Sequence, residues 1–494
     1  MTTATVDAPP ARDRSSRSSR FSLSRLLQAL TLHGLVWTVA LAPLPLGSNR
    51  PGSWSLLCLA VGVLLVLWAL ARSLDRGGPS RLGARCYAWP AAAMAALLAW
   101  FALQAATGLP AALHHPAWAW AGAQLGVDLP GHISSDPQAT LTATMRLTAY
   151  AGVFFLAMHL GRERGQARIL LISVAVAAVA YAIYGLAISY SGSNTILWYE
   201  RWAYAGSLTS SFVNRNSFAT YAGCGLVVAF ALLARAVARA RDDENMPHGR
   251  SDLVLERLVA RTWLPAIAVI VLTAALLASH SRAGLAATAV GLVVMAMLAL
   301  KGQGGRGRRY WLLAAALLAA VVAVGEGTVF QRIESGGMDA LGNRLLLYRD
   351  VVAGIAERPW LGHGYGAFET AFERFRSPPL LDAGVIDKAH NSYLEFAFEA
   401  GLPALALLLV LLASIVKRCL RGLAVRRRNH IYPLVAVAAA SLVGVHALVD
   451  FSLQIPAVAV QFALLLGLGF AQAFPGEPPA ARPGPPRQSV PGAG

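Results

Sequence analysis

Residues 54–70 read WSLLCLAVGVLLVLWAL, seventeen consecutive positions without a Lys, Arg, Asp or Glu. A bilayer core about 30 Å thick is crossed by about 20 apolar helical residues, within a range of roughly 17–25. In water such a run would leave apolar surface bare on every side, so it reads as a membrane span. Working outward, uncharged runs recur at 169–190, 263–279, 401–416 and 431–449. The full reading has twelve spans: 26–46, 54–71, 88–107, 141–160, 169–190, 216–234, 263–279, 284–300, 310–325, 401–416, 431–449 and 453–472. Pro43 and Pro45 fall in the first and Arg146 in the fourth. All three lie near outer ends, where a kink or a snorkelling side chain is tolerated.

Composition agrees. The 494 residues are 56% hydrophobic and 14% charged, too little charge to cover a soluble protein of this size. The net charge of +17 could suggest nucleic acid, but no basic patch interleaved with aromatics appears, and no nucleic-acid partner is expected. The charge is explained by orientation. With the N-terminus in the cytoplasm, the cytoplasmic segments hold about 30 of the 42 Lys and Arg residues, as the positive-inside bias requires. Anionic membrane lipids are the partners of that surplus. Of four cysteines, Cys58 and Cys224 lie in spans and Cys86 and Cys419 in cytoplasmic loops. No structural disulfide is expected, and no cleavable signal peptide is evident.

The chain therefore predicts an all-α, polytopic transmembrane helical bundle with a large, mostly helical outer loop. Its expected parts are a disordered basic cytoplasmic arm (1–25), spans one to nine (26–325), a periplasmic loop (326–400), spans ten to twelve (401–472) and a disordered Pro/Gly-rich tail (473–494). Within the loop, Leu341–Ile355 has helical apolar spacing and Pro359 limits it. Gly362, Gly364 and Gly366 make a turn, and Phe368–Phe375 is a second short helix. Residues 377–388 read as a mobile linker, and His390–Ala400 as a helix leading into the tenth span. Outer segments 108–140 and 191–215 are the other long connections.

Ionisable residues at membrane depth are costly and therefore candidates for function. Here they gather at the outer ends of the spans: Arg215, His280, Arg282, Arg344, Arg349, His390, and the pair His446 and Asp450. His446 and Asp450 are four apart, which puts them on one helix face. Paired guanidinium forks match phosphate oxygens, which suits a diphosphate. A nearby His can act as a general base. The competing readings are plain: a terminal Arg often only snorkels, and a loop His is often incidental. Gly362-His363-Gly364-Tyr365-Gly366 follows no strand and is a turn, not a dinucleotide loop.

These residues resemble the O-antigen ligase and polymerase superfamily of polytopic bacterial membrane proteins. The resemblance rests on Gly206 through Phe212-Val213-Asn214-Arg215-Asn216, on Ser281-Arg282-Ala283-Gly284, and on Arg344 through Pro359 to Phe368. It continues in His390-Asn391 with Tyr393-Leu394 and Glu399-x-Gly401, and in His446 through Asp450-Phe451 to Pro456. The resemblance implies transfer of a glycan from an undecaprenyl-diphosphate donor to an acceptor hydroxyl on the periplasmic face of the inner membrane. The enzyme would be an inverting glycosyltransferase without metal or cofactor. Its partners would be a lipid-linked glycan donor and a glycan, lipid or protein acceptor. Carried onto this chain, Arg215 and Arg282 would hold the diphosphate, with Arg201 as the alternative to Arg215. His390 would be the catalytic base, and Arg344, Asn391 and Tyr393 would support it. Ligase, polymerase and protein O-oligosaccharyltransferase share these motifs. A transporter or flippase is the competing class, but it needs ionisable residues along a central path rather than at one edge.

The orientation has a direct test. A cysteine placed at Ser377 in a Cys-free chain should react with an impermeant reagent in spheroplasts, and one at Ser18 should not. The reverse pattern would overturn the topology.

Overall fold

In the computed structural model the described residues are 12–75, 82–241, 251–300, 337–425 and 430–475. They form fifteen α-helices and one two-stranded hairpin. The first five helices are α1 (Arg12–Leu41), α2 (Pro51–Leu74), α3 (Ala84–Ala105), α4 (Pro116–Leu125) and α5 (Pro137–Leu160). Then come α6 (Arg164–Tyr190), the hairpin β1 (Thr195–Ile196) and β2 (Tyr199–Glu200), α7 (Arg215–Arg241), α8 (Ser251–Ala278) and α9 (Arg282–Leu300). The long loop holds α10 (Gly337–Glu357), α11 (Phe368–Phe372) and α12 (Ser392–Ala400). The chain closes with α13 (Leu402–Val425), α14 (Ile431–His446) and α15 (Pro456–Gln472).

Eight of these, α2, α3, α5 to α9 and α13, are long and apolar enough to cross a membrane by length and composition. α14 and α15 are equally apolar but shorter. The expected span 310–325 lies outside the described residues. Proline sets several starts: Pro51, Pro116, Pro137 and Pro456 occupy first helical positions, where a missing N–H costs nothing. Pro43 and Pro45 end α1 at Leu41 rather than kinking it, and a 3-10 turn follows at Leu46–Ser48. At its other end α1 begins at Arg12, inside the arm read as disordered. No Gly or Pro between residues 12 and 25 interrupts the hydrogen-bond ladder there.

The centre of the bundle is α15, all of whose residues from Pro456 to Gln472 are buried. It lies against α5, α14, α13 and α7. Close approach is made by glycine: a side chain at Gly467 would meet the Phe154 carbonyl, and one at Gly469 the Ala436 methyl. Small residues let helices pack tightly where lipid supplies no hydrophobic drive for association.

The loop is folded throughout its described part. Leu347, Val351, Phe368, Phe372, Leu380 and Phe398 form its own core. Arg358 turns the chain after α10, donating to the carbonyls of Gly362, His114 and Leu113. Gly364 adopts φ +115° against Ser134, a conformation and a spacing that only glycine accepts. The expected mobile linker 377–388 is instead wound around Arg376, whose guanidinium donates to the carbonyls of Leu380, Leu381 and Gly384. Ser377 buries its hydroxyl there, so exposed Val385 is the better labelling position for the topology test.

A buried histidine pair fastens this loop to segment 108–140. The Ala117 N–H donates to His115 Nδ1 at 3.2 Å, so the proton of His115 sits on Nε2. That N–H donates to His363 Nδ1 at 2.9 Å, and His363 Nε2–H donates to the Gly354 carbonyl at 3.0 Å. Both rings are thereby used in the neutral form. Burial pushes His115 down to about 3 and His363 down to about 4. A depressed histidine favours the folded state while neutral, so the clasp is at full strength above the ordinary value of 6.5. It weakens as pH falls from there toward about 4. The protection of the Ser135 amide, which donates to the His363 carbonyl, against hydrogen exchange, taken relative to the free amide at each pH, should fall progressively over that range. Unchanged protection down to pH 4 would refute the clasp.

Candidate functional site

Two helices start side by side at the loop end of the bundle, each with an arginine in its first position. Asn214 caps α7, its Oδ1 accepting from the Asn216 amide at 2.7 Å. Ser281 caps α9, its Oγ accepting from the Gly284 amide at 3.2 Å. Arg215 and Arg282 are the residues that follow these caps. Between α8 and α9 the turn is tight, with His280 at φ +53°. Helix N-termini present free N–H groups and a positive dipole end, so two of them with two guanidiniums make a place for an anion.

The starts are joined by Asn216. Its Oδ1 accepts from Ser281 Oγ at 2.8 Å, and its Nδ2 donates to Asp450 Oδ1 at 3.1 Å. Asp450 has no solvent exposure. Its second oxygen accepts from Ser452 Oγ. Thr220 Oγ1 lies 3.0 Å from Ser452 Oγ and 2.8 Å from His446 Nδ1. One assignment satisfies these contacts: His446 donates to Thr220, Thr220 to Ser452 and Ser452 to Asp450. His446 and Asp450 approach to 4.0 Å, but they do not share a helix face as expected. α14 ends at His446, and the turn from Ala447 to Asp450 bends the carboxylate back under α7. The strong hydrogen bonds to Asn216 and Ser452 replace the helical register.

His390 stands directly over that turn. The Ser392 amide donates to the Ala447 carbonyl and Ser392 Oγ to the Asp450 carbonyl, both at 2.8 Å. The His390 ring meets Phe451 edge to face at 5.1 Å. Its backbone is left-handed, φ +53°, and its carbonyl accepts from Tyr348 Oη at 3.0 Å. The sequence reading began the helix at His390. It begins at Ser392, because Asn391 is the cap and accepts from the amides of Tyr393 and Leu394. Burial lowers the His390 pKa; Asp450 opposes that shift and Arg344 adds to it. Arg344 is exposed on α10, one turn before Tyr348.

Arg215, Arg282, Arg344 and His390 thus come to one end of the bundle. Arg215 reaches Ser207 Oγ at 3.2 Å and lies over the Tyr204 ring. Arg201 reaches the same residue and donates to the Ser207 carbonyl at 2.8 Å. Asn391 is occupied as a cap, and Tyr393 Oη donates to the Gly444 carbonyl at 2.8 Å. Asn391 thus closes the start of α12, and Tyr393 ties the helix to α14. Sequence reasoning named Asn216 within a motif but gave it no role, and it missed Thr220, Ser452 and Glu395. Buried Glu395 accepts from the Ala389 amide at 2.7 Å, holding the residue before His390. Its signal was available: an acidic residue in the first turn after the Asn391 cap.

Residues 267–409 match the family model described as O-antigen ligase. No curated protein matches the chain. The matched stretch runs from within α8 to within α13, so it contains Arg282, Arg344 and His390 but neither Arg215 nor Asp450.

The bridging role of Asn216 is open to measurement. Asn216→Ala leaves Asp450 one donor short, at a cost of about 1–3 kcal/mol. Asn216→Asp adds a second carboxylate beside it and should destabilise more than Ala does. Thermal unfolding of the purified variants in one detergent checks this order, and equal stability of all three proteins would remove the bridge.

Proposed function

From a chain whose residues 267–409 carry the match to O-antigen ligase, we propose that this protein is a periplasmic-face glycosyltransferase of the inner membrane. It moves a glycan from an undecaprenyl-diphosphate donor to an acceptor hydroxyl. The observation that supports this best is the Asn216 side chain. It joins the Ser281–Arg282 turn to Asp450, the residue whose carbonyl holds the segment bearing His390. Motifs more than 230 residues apart thereby share one anion-friendly end of the bundle, as the 234-residue separation of Asn216 and Asp450 records.

The proposed reaction is a single displacement. The acceptor oxygen forms a bond to the anomeric carbon, and the bond from that carbon to the diphosphate oxygen breaks. His390 takes the acceptor's proton. The electron pair leaves with the diphosphate, where Arg215, Arg282 and the two helix N-termini meet the growing charge. Stabilisation aimed at charge that appears in the transition state is the most effective kind. With its pKa lowered by burial, His390 is neutral at neutral pH and ready to accept a proton. Glycan, lipid and protein acceptors all present the same nucleophile, a hydroxyl.

Purified lipid-linked donor and acceptor provide the assay. His390→Gln should lose about 10²–10⁴-fold in turnover while still binding donor. Arg282→Lys keeps the charge but loses the bidentate fork, and should fall by at least about tenfold. The acid limb of the wild-type profile should lie below 6.5, in the direction of the His390 shift. Near-normal turnover of His390→Gln would remove His390 from the reaction. Full activity of Arg282→Ala would leave that arginine a headgroup contact only.

A further inference from the structure

At the opposite end of the bundle lies a cavity of about 270 Å³ between α3, α13 and the end of α15. Gln104 marks the loop end of α3, where it donates to the Leu361 and Glu399 carbonyls. Cys86 lines the cavity, and eighteen residues of helix separate the two, about 27 Å. The cavity therefore sits about one bilayer core away from the arginine and histidine cluster.

Its walls are amphipathic. Trp89, Pro90 and Phe470 supply the apolar side, and Lys417, Arg418 and Arg421 the polar side. Lys417 and Arg421 are four apart on α13 and exposed, so their cationic ends converge on one face. Arg418 is fixed between them. Its guanidinium lies 3.7 Å from the centre of the Phe474 ring and donates to the Ala473 carbonyl at 3.1 Å. Its Nε is buried without a hydrogen-bond partner among the described residues. Among the described residues no carboxylate lines the cavity.

We propose that this cavity is a binding site for the phosphate of an anionic glycerophospholipid. Three cations around one opening call for an anion, and a phosphate oxygen suits both the Arg forks and the Lys ammonium. The indole and phenyl walls call for something joined to hydrocarbon, since free phosphate gains nothing from Trp89 or Phe470. Basic pockets between spanning helices at the cytoplasmic surface are the usual seats of such headgroups. The site is separate from the glycan-transfer end and does not rest on that reading.

Cys86 supplies a native reporter, being exposed while Cys58 is half-buried and Cys224 and Cys419 are buried. Full-length protein in neutral detergent is treated with a maleimide, and Cys86 labelling is read by peptide mass. Phosphatidylglycerol should slow the labelling, whereas phosphatidylcholine and inorganic phosphate should not. K417Q/R421Q should raise the phosphatidylglycerol concentration needed by roughly thirtyfold, following the usual contribution of each basic residue near an anionic surface. Both positions are exposed, and an unchanged unfolding temperature in detergent confirms that the variant folds. Equal protection by phosphatidylcholine, or protection that survives the double substitution, would overturn the site. Protection by inorganic phosphate at the same concentration would overturn the lipid and leave a free-anion site.

Discussion

A carboxylate shut away from water has to be met by donors, and Asp450 sets that requirement for the whole loop end of the bundle. Asn216 from α7 and Ser452 from the turn answer it directly. Thr220 and His446 answer it one bond further out. Each of these donors carries a piece of backbone with it. Asn216 brings the start of α7, and through Ser281 the start of α9. The Asp450 carbonyl then takes the first residue of α12, and so fixes the place of His390. The starts of α7 and α9 are tied to one buried carboxylate, and the start of α12 to the main-chain carbonyl of the same residue.

Much of this was legible in the sequence, for reasons that differ by residue. The spans were visible because an uncharged run near 20 residues has few alternatives. Arg215, Arg282 and His390 were visible because charge at membrane depth is rare. The glycine turn at 362–366 was visible because three glycines share five positions, and all three adopt positive φ. Pairings across the chain were not legible. Nothing local in Thr220 or Ser452 distinguishes them from any other hydroxyl near a helix end. The His115–His363 clasp joins residues 248 apart, and no periodicity reports such a contact. The Arg376 fold was missed for a different reason. Proline, aspartate and glycine in 377–388 resemble an open linker until a guanidinium collects the carbonyls they leave free.

The site is also stiff in a specific way. Arg215 and Arg282 lie on helix starts and His390 just ahead of one, while the caps themselves, Asn214, Ser281 and Asn391, spend their oxygens on backbone amides. Cap and candidate residue are neighbours in each case, so the backbone beside each candidate is held. Short polar segments such as Ser281-Arg282 can therefore be rigid without pairing in a sheet.

The enclosure of α15 has a consequence for how the molecule is assembled. Every residue from Pro456 to Gln472 is covered by protein, yet α15 follows all its neighbours in the chain. It is synthesised after the helices that must surround it, so those helices wait in the bilayer with an unfilled slot. A stop codon ahead of Pro456 would not yield a slightly smaller bundle; it would leave an open ring of helices whose inner faces look onto lipid. Loss of a few dozen C-terminal residues should thus send the nascent chain to proteolysis, although Arg215, Arg282 and His390 had already been made.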